Sequence, residues 1–311
     1  MKALALALAL AAAPPGLLPG APASVISGPG QALLAITYAP DGGALVATGL
    51  DHTVRAWAMP SREPIAALDG GENPVDALAF SPDGTRLAYG DQAFWARVVK
   101  WPSLEPAGEV MHPSAVVSLA FSPRADRLAV SSPGGTGGLY GASGGKQLAE
   151  LRSRCAAYRA DGSSLVTAQI SGSLSVVDAK SGKVRSTFST SGHVPAVLLL
   201  ADDQTALTAS PKDPEIHVWD LKAGKAARVL RGHDQGVHAL SLSADRTLLA
   251  STGVDRTVRV WDVKSGRELW QRPVEFTAFV ALAPDGKTVA VADGAVIKLW
   301  PLALGADAGT R

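Results

Sequence analysis

Phe80-Ser81-Pro82-Asp83-Gly84 is the stretch that decides how this chain is read, because the chain writes it repeatedly. Tyr38-Ala39-Pro40-Asp41-Gly42 precedes it and Phe121-Ser122-Pro123 follows. Weaker copies stand at Ala160-Asp161-Gly162, Ala201-Asp202 and Ala244-Asp245, and Pro284-Asp285-Gly286 ends the series. The anchors at 40, 82, 123, 160, 201, 244 and 284 are separated by 42, 41, 37, 41, 43 and 40 residues. A second landmark follows each anchor after 16 to 19 residues: Trp57, Trp101, Tyr140, Val177, Trp219, Trp261 and Trp300. Two landmarks that keep register through seven copies define a repeat architecture.

Within a copy the apolar period is two, as in Val237-His238-Ala239-Leu240-Ser241-Leu242 and Thr257-Val258-Arg259-Val260-Trp261. That is strand alternation, and no segment beyond the N-terminal run has a helical period. Each unit holds four short strands. Pro-Asp-Gly makes the turn between the first two, since proline fixes φ and glycine accepts positive φ. Ser181-Gly182-Lys183 and Ser265-Gly266-Arg267 make the turn between the last two. The fold class is all-β.

The unit resembles the WD40 repeat, about 40 to 45 residues long, with Gly-His near its start and Trp-Asp near its end. The sixth copy is the fullest match, with Gly232-His233, Ser251, Asp255 and Trp261-Asp262. The resemblance implies a hydrogen-bonded chain of His233, Ser251, Asp255 and Trp261 inside the blade. Copy one keeps Thr48, Asp51 and Trp57 but has Pro29 in place of the histidine. Copy five keeps Asp213, Trp219 and Asp220, with Gly192-His193 three residues too close to its first strand. Copies three and four lose the tryptophan. The resemblance covers residues 22 to 304 and implies a seven-bladed β-propeller of four-stranded antiparallel blades. Only Pro301 to Arg311 remain after Trp300, and that tail is a poor strand. Ala23-Ser24-Val25-Ile26-Ser27-Gly28 aligns with the outer strands of other copies, such as Glu63-Pro64-Ile65-Ala66-Ala67-Leu68. The N-terminal strand is therefore expected to complete the last blade and remove an open edge.

Residues 1–23 read as a signal peptide: Lys2 is followed by eleven apolar residues, Ala3 to Ala13, and then by Pro14-Pro15-Gly16. Eleven helical residues reach only about 16 Å, too short for a bilayer of about 30 Å. Ala21-Pro22-Ala23 supplies a small-x-small site before Ser24. The expected division is thus 1–23 signal peptide, 24–304 propeller and 305–311 tail. The expected location is exported, periplasmic or extracellular, and the Ala-, Leu- and Gly-rich composition suggests a bacterial source.

Of the 311 residues 47% are hydrophobic, enough for a packed core. Twenty-nine basic and 28 acidic residues leave a net charge of +1, so no broad footprint for nucleic acid or an anionic membrane exists. One cysteine, Cys155, excludes an intrachain disulfide or a Cys₄ zinc site and is expected to be buried and inert. Asn73 is the sole asparagine and Pro74 follows it, so there is no N-glycosylation acceptor.

Three motifs look chemical and are better read as structural. Gly141-Ala142-Ser143-Gly144-Gly145 spells a nucleophile elbow, yet it falls in the turn after Tyr140 with no helix behind it. Gly134-Gly135-Thr136-Gly137-Gly138 lacks the Gly-Lys-Ser/Thr of a phosphate loop and reads as a slack loop. No pair among His52, His112, His193, His217, His233 and His238 has a helix-face ligand spacing, so no metal and no cofactor are expected. His112, without Asp and Trp partners, is expected on the surface.

Copy two has a longer anchor-to-Trp interval, which places Phe94-Trp95 in the loop between its second and third strands. That loop type and the loop before the first strand emerge on one propeller face. The first type contributes Leu50, Phe94, Trp95, Ile170 and Val254, and the second contributes Glu72, Arg152, His193 and Phe276. Bulky apolar groups on loops of a rigid scaffold mark a contact surface. The expected function is a non-catalytic WD40-repeat scaffold, a monomeric domain that binds a protein or peptide partner there and no nucleic acid. The alternative is a propeller enzyme, lactonase-like or quinoprotein-like, with a metal or cofactor at the channel mouth. Only Asp293, Glu72 and Asp234 are available there as acidic ligands.

Overall fold

The structure is a computed structural model that describes residues 24–28, 30–190, 196–200, 202–276 and 278–303. Expectations for residues 1–23, Pro29, Gly192, His193, Ala201 and the tail from residue 304 lie outside the described residues. Twenty-eight strands form seven four-stranded antiparallel sheets. Six sheets use four consecutive strands. The seventh combines Phe279–Leu282, Thr288–Asp293 and Val296–Pro301 with the N-terminal strand Ser24–Ser27. Ser24 lies opposite Leu299 and Ser27 opposite Val296, and Ile26 is buried between them in register with Ile297. The expected closure is present. Blade one then bonds directly to blade seven through Leu33 N–H and the Gly294 carbonyl, 2.9 Å apart.

The repeated turn explains why each blade starts alike. Its third residue has positive φ in all seven copies: Gly42 74°, Gly84 68°, Ala125 55°, Gly162 69°, Asp203 52°, Arg246 58° and Gly286 69°. Four copies meet that demand with glycine, and three hold a side chain in a conformation that costs roughly 1–2 kcal/mol. The aspartate before it takes up a loop amide: Asp41, Asp83, Asp161, Asp202, Asp245 and Asp285 each accept a backbone N–H at 2.8–3.0 Å. An orphaned donor is thereby satisfied without water.

Core register places one second-strand residue of each blade opposite one third-strand residue. The pairs are Leu45–Trp57, Leu87–Val99, Leu128–Tyr140, Leu165–Val177, Ala206–Trp219, Leu249–Trp261 and Val289–Trp300. Every second-strand member is fully buried. Such burial contributes roughly 1.5–3 kcal/mol for each large aliphatic side chain. This register corrects the sequence reading of copy two. Val99, not Trp101, holds the landmark position, and residues 92–94 form a three-residue connection like 50–52 in blade one. Trp101 lies one residue past its strand and packs edge-on against Phe80, ring centres 5.2 Å apart.

One further expectation changes. Gly137 and Gly138 belong to the third strand of blade three, Thr136–Gly141, so the slack is confined to Gly134 and Gly135. A methyl on Gly138 would stand 2.7 Å from the Tyr140 ring, which is why a glycine sits in a strand there. Cys155 begins the first strand of blade four, buried as expected, and burial pushes its thiol up to about 12. No described helix is long and apolar enough to cross a membrane.

Candidate functional site

Blade six carries the polar chain that its sequence implies. Trp261 Nε1 donates to Ser251 Oγ at 2.8 Å, Ser251 Oγ meets His233 Nε2 at 2.8 Å, and His233 Nδ1 meets Asp255 at 2.9 Å. Trp261 and the His233 side chain are fully buried. Burial alone would raise the Asp255 pKa. Hydrogen bonds from His233, Asp234 N–H and Thr257 outweigh it and hold the carboxyl near 2. Gly253 leaves the room: a methyl there would come within 2.6 Å of both Asp255 Oδ1 and His233 Nδ1.

An aspartate beside the second-to-third turn recurs with a basic or imidazole partner on the third strand, a pattern the sequence reading missed. Asp51 pairs with Arg55, Asp91 with Arg97 at 2.6 Å, Asp213 with His217 at 2.9 Å, Asp255 with Arg259 at 3.5 Å and Asp293 with Lys298 at 2.7 Å. The signal was present as Asp-x-x-x-Arg at 51–55 and 255–259. Asp213, Glu215 and His217 are close enough together to hold a metal ion. They are already occupied: His217 by Asp213, and Glu215 by Arg231 at 2.6 Å.

Blade three corrects the expectation for His112. It is 1% exposed, with Nδ1 3.0 Å from the Tyr140 hydroxyl and Nε2 3.2 Å from the Thr136 carbonyl. Burial lowers its pKa, partly opposed by the Thr136 bond. Tyr140 stands at the tryptophan position and reaches the imidazole directly, so neither a serine bridge nor an aspartate is needed.

The channel holds a cavity of about 600 Å³, lined by first-strand residues such as Ile36, Leu78, Leu198, Leu240 and Val280. Arg246 is its one charged lining residue among the described residues. Asp293, an expected acidic ligand at the channel mouth, instead accepts Glu275 N–H, Phe276 N–H and Lys298 Nζ. Glu72 and Asp234 do not line the cavity either.

The two loop types share a face and are tied together there. Gly70 N–H donates to the His52 carbonyl, His112 N–H to Phe94, Ser153 N–H to Gly135, Thr190 N–H to Gly172 and Val274 N–H to Arg256, all at 2.7–2.9 Å. Leu50, Phe94, Ile170 and Phe276 project there at 40–56% exposure, and Glu72 is exposed as well. Val254 is half-buried. Trp95 is not a loop residue: it opens the third strand of blade two, half-buried, with the Arg97 guanidinium 5.6 Å from its ring centre. Arg152 is exposed but ends the outer strand of blade three rather than lying in the next loop. Met111, 63% exposed and opposite Trp95, was missed, because only strand register brings it to this face.

Seven four-stranded blades closed by an N-terminal strand define a seven-bladed β-propeller, and the chain carries WD40 repeats. The WD40 family (WD domain, G-beta repeat) matches residues 20–58 and 224–262, which include most of blade one and the polar chain of blade six. The WD40 β-propeller domain of Doa1 superposes with a TM-score of 0.77 at 18% identity, over 90% of this chain and 95% of that one. Among curated proteins, a Periodic tryptophan protein 2 homolog from Neurospora crassa is 28% identical over 120 residues, 37% of this chain and 13% of that protein. Its Schizosaccharomyces pombe counterpart is 31% identical over 102 residues, 32% of this chain and 12% of that one. The matched segments thus span about an eighth of these relatives. Both relatives are fungal, so they lend nothing to the bacterial source suggested by composition.

Proposed function

We propose that this propeller is a non-catalytic scaffold that binds a protein or peptide partner on the face bearing Leu50, Phe94, Ile170 and Phe276. The observation that carries this reading is the clustering of exposed apolar side chains. Five of the nine most exposed large apolar residues among those described, these four and Met111, lie at this end of the blades. Water-exposed apolar groups on loops held by backbone hydrogen bonds form a preorganised contact surface. Scaffold proteins with WD40 repeats agree with that use, and Asp293, one of the three acidic residues named for a metal at the channel mouth, is held by Glu275 N–H, Phe276 N–H and Lys298. The test is affinity purification from the native source with the wild type and with Phe94→Ala combined with Phe276→Ala, both exposed in loops of this face. The partner is lost while the melting transition is kept. A partner retained by the doubly substituted chain overturns the reading.

Export is part of the proposal and rests on the apolar run 3–13 and the Ala21-Pro22-Ala23 site. A cut before Ser24 leaves the closing strand Ser24–Ser27 whole. Mass spectrometry of the native protein checks it: a chain beginning at Ser24 supports export, and retained Met1 overturns it.

A further inference from the structure

The proposed face is not uniform around the ring. Blades one, two, five, six and seven have an aspartate–cation or aspartate–imidazole pair beside the second-to-third turn. By register, Gly134 of blade three and Ser171 of blade four stand at the position of Asp255. This sector has no carboxylate of that kind, yet two arginines enter it. Arg152 lies opposite Thr136 at the end of its strand, exposed. Arg154 donates from its guanidinium to the Pro133 carbonyl at 3.2 Å. Among the described residues neither arginine has an acidic partner within 4.0 Å, and the acid nearest in sequence, Glu150, is not paired with them.

The apolar groups of the sector flank these arginines through a continuous series of contacts. The Phe94 carbonyl accepts the His112 N–H, and the His112 ring reaches the Thr136 carbonyl. Beyond that turn, Ile170 packs beside Gly135, where a methyl would lie 3.7 Å from Ile170 Cδ1. Met111 stands opposite Trp95 at the near end. Phe94, Met111 and Ile170 are exposed, and the turn between them is low and glycine-rich.

We infer that this sector, Phe94 and Met111 on one side, Arg152 and Arg154 in the middle and Ile170 on the other, docks an acidic peptide segment with apolar side chains. The inference rests on the docking-face reading and narrows it to one sector and one partner chemistry. Apolar anchors supply burial at both ends, and a guanidinium recognises a carboxylate with charge and directed donors. The net charge of +1 makes this attraction local, so it weakens with salt. Two arginines between apolar groups suit a peptide rather than the phosphates of a nucleic acid, which would demand a longer basic track.

The test is selection from a displayed library of random dodecapeptides on the full chain, followed by binding of the recovered peptides to folded variants. The sector predicts enrichment of Asp and Glu beside Leu, Ile or Phe. Binding weakens about tenfold or more in Arg152→Glu and in Phe94→Ala with Ile170→Ala. It is unchanged in Leu148→Ala, whose exposed side chain belongs to the third-to-fourth connection on the opposite face. Peptides weakened by Leu50→Ala with Phe276→Ala but not by the sector variants overturn this inference and leave the docking face standing. Peptides indifferent to both sets overturn the face as well. Recovery of neutral or basic peptides, displacement by a single-stranded oligonucleotide, or no enrichment at all overturns the acidic-peptide assignment.

Discussion

Blades six and three start from the same residue, a histidine that follows the preceding blade's outer strand, and solve its burial in different ways. In blade six His233 bridges a carboxylate and a serine, and the serine also takes the Trp261 N–H. In blade three Gly134 replaces the aspartate, and Tyr140 replaces both serine and tryptophan with one hydroxyl. The spare imidazole nitrogen then turns to the Thr136 carbonyl. Both solutions satisfy the ring, but only blade six buries a charged partner. The repeat therefore constrains what must be satisfied, namely a buried imidazole, more tightly than which residues satisfy it.

Removing each histidine gives the largest contrast. His233→Ala takes the imidazole from both the Asp255 carboxylate, which keeps Arg259 and Thr257, and Ser251, and costs about 3–4 kcal/mol. His112→Ala strands only neutral groups and costs about 1–3 kcal/mol. Urea unfolding of the two variants measures the difference, and equal losses would erase the distinction between the blades. Ser251→Ala leaves two groups without their partner and costs about 2–3 kcal/mol, whereas Tyr140→Phe costs about 1–2 kcal/mol. The same unfolding series checks both.

Acid separates the blades by pH window. Asp255 titrates near 2 when folded and at 3.8 unfolded, so its contribution is present above about pH 4 and is lost as pH falls toward 2. That loss is about 2 kcal/mol. His112 acts earlier. Its folded pKa lies below the ordinary 6.5, so the unfolded chain binds the proton first and stability falls as pH drops below about 6.5. Half-buried His238, whose pKa burial also lowers, adds a loss in that same window. Asp255→Asn reduces the low-pH step, to which turn aspartates such as Asp83, Asp202 and Asp245 also contribute, and His112→Gln reduces the higher one, both read from unfolding free energy against pH.

The smallest effect concerns the turn that both blades share in shape but not in residue. Gly84→Ala meets no atom closer than 3.8 Å, so its cost of about 1 kcal/mol is backbone strain alone. The same position in blade three already holds Ala125 at φ 55°.

These differences mark what the sequence could tell. The ring was legible because Pro-Asp-Gly and a third-strand landmark repeat at fixed spacing, and the closing strand because 24–28 matches the other outer strands. The Trp101 landmark misled, since spacing alone cannot distinguish a strand residue from one just beyond its end. Only the Leu87–Val99 register does so. His112 misled because its partner is a tyrosine whose hydroxyl spans the place of two residues, a reach absent from the repeat pattern. Phe94 and Ile170 were visible as apolar residues in turns. Met111 was not, because an outer-strand end reaches the face only through pairing with Trp95.

A cross-link across the closing seam tests the ring most directly. Ser27 and Val296 lie opposite each other in the seventh blade, and Cys155 is buried elsewhere. In a chain carrying Ser27→Cys and Val296→Cys, mild oxidation should form one intramolecular disulfide and raise the melting temperature, because it closes a very long loop. Two thiols that stay free to a maleimide reagent in the native protein, or that link only between molecules, would contradict the closed seven-blade ring.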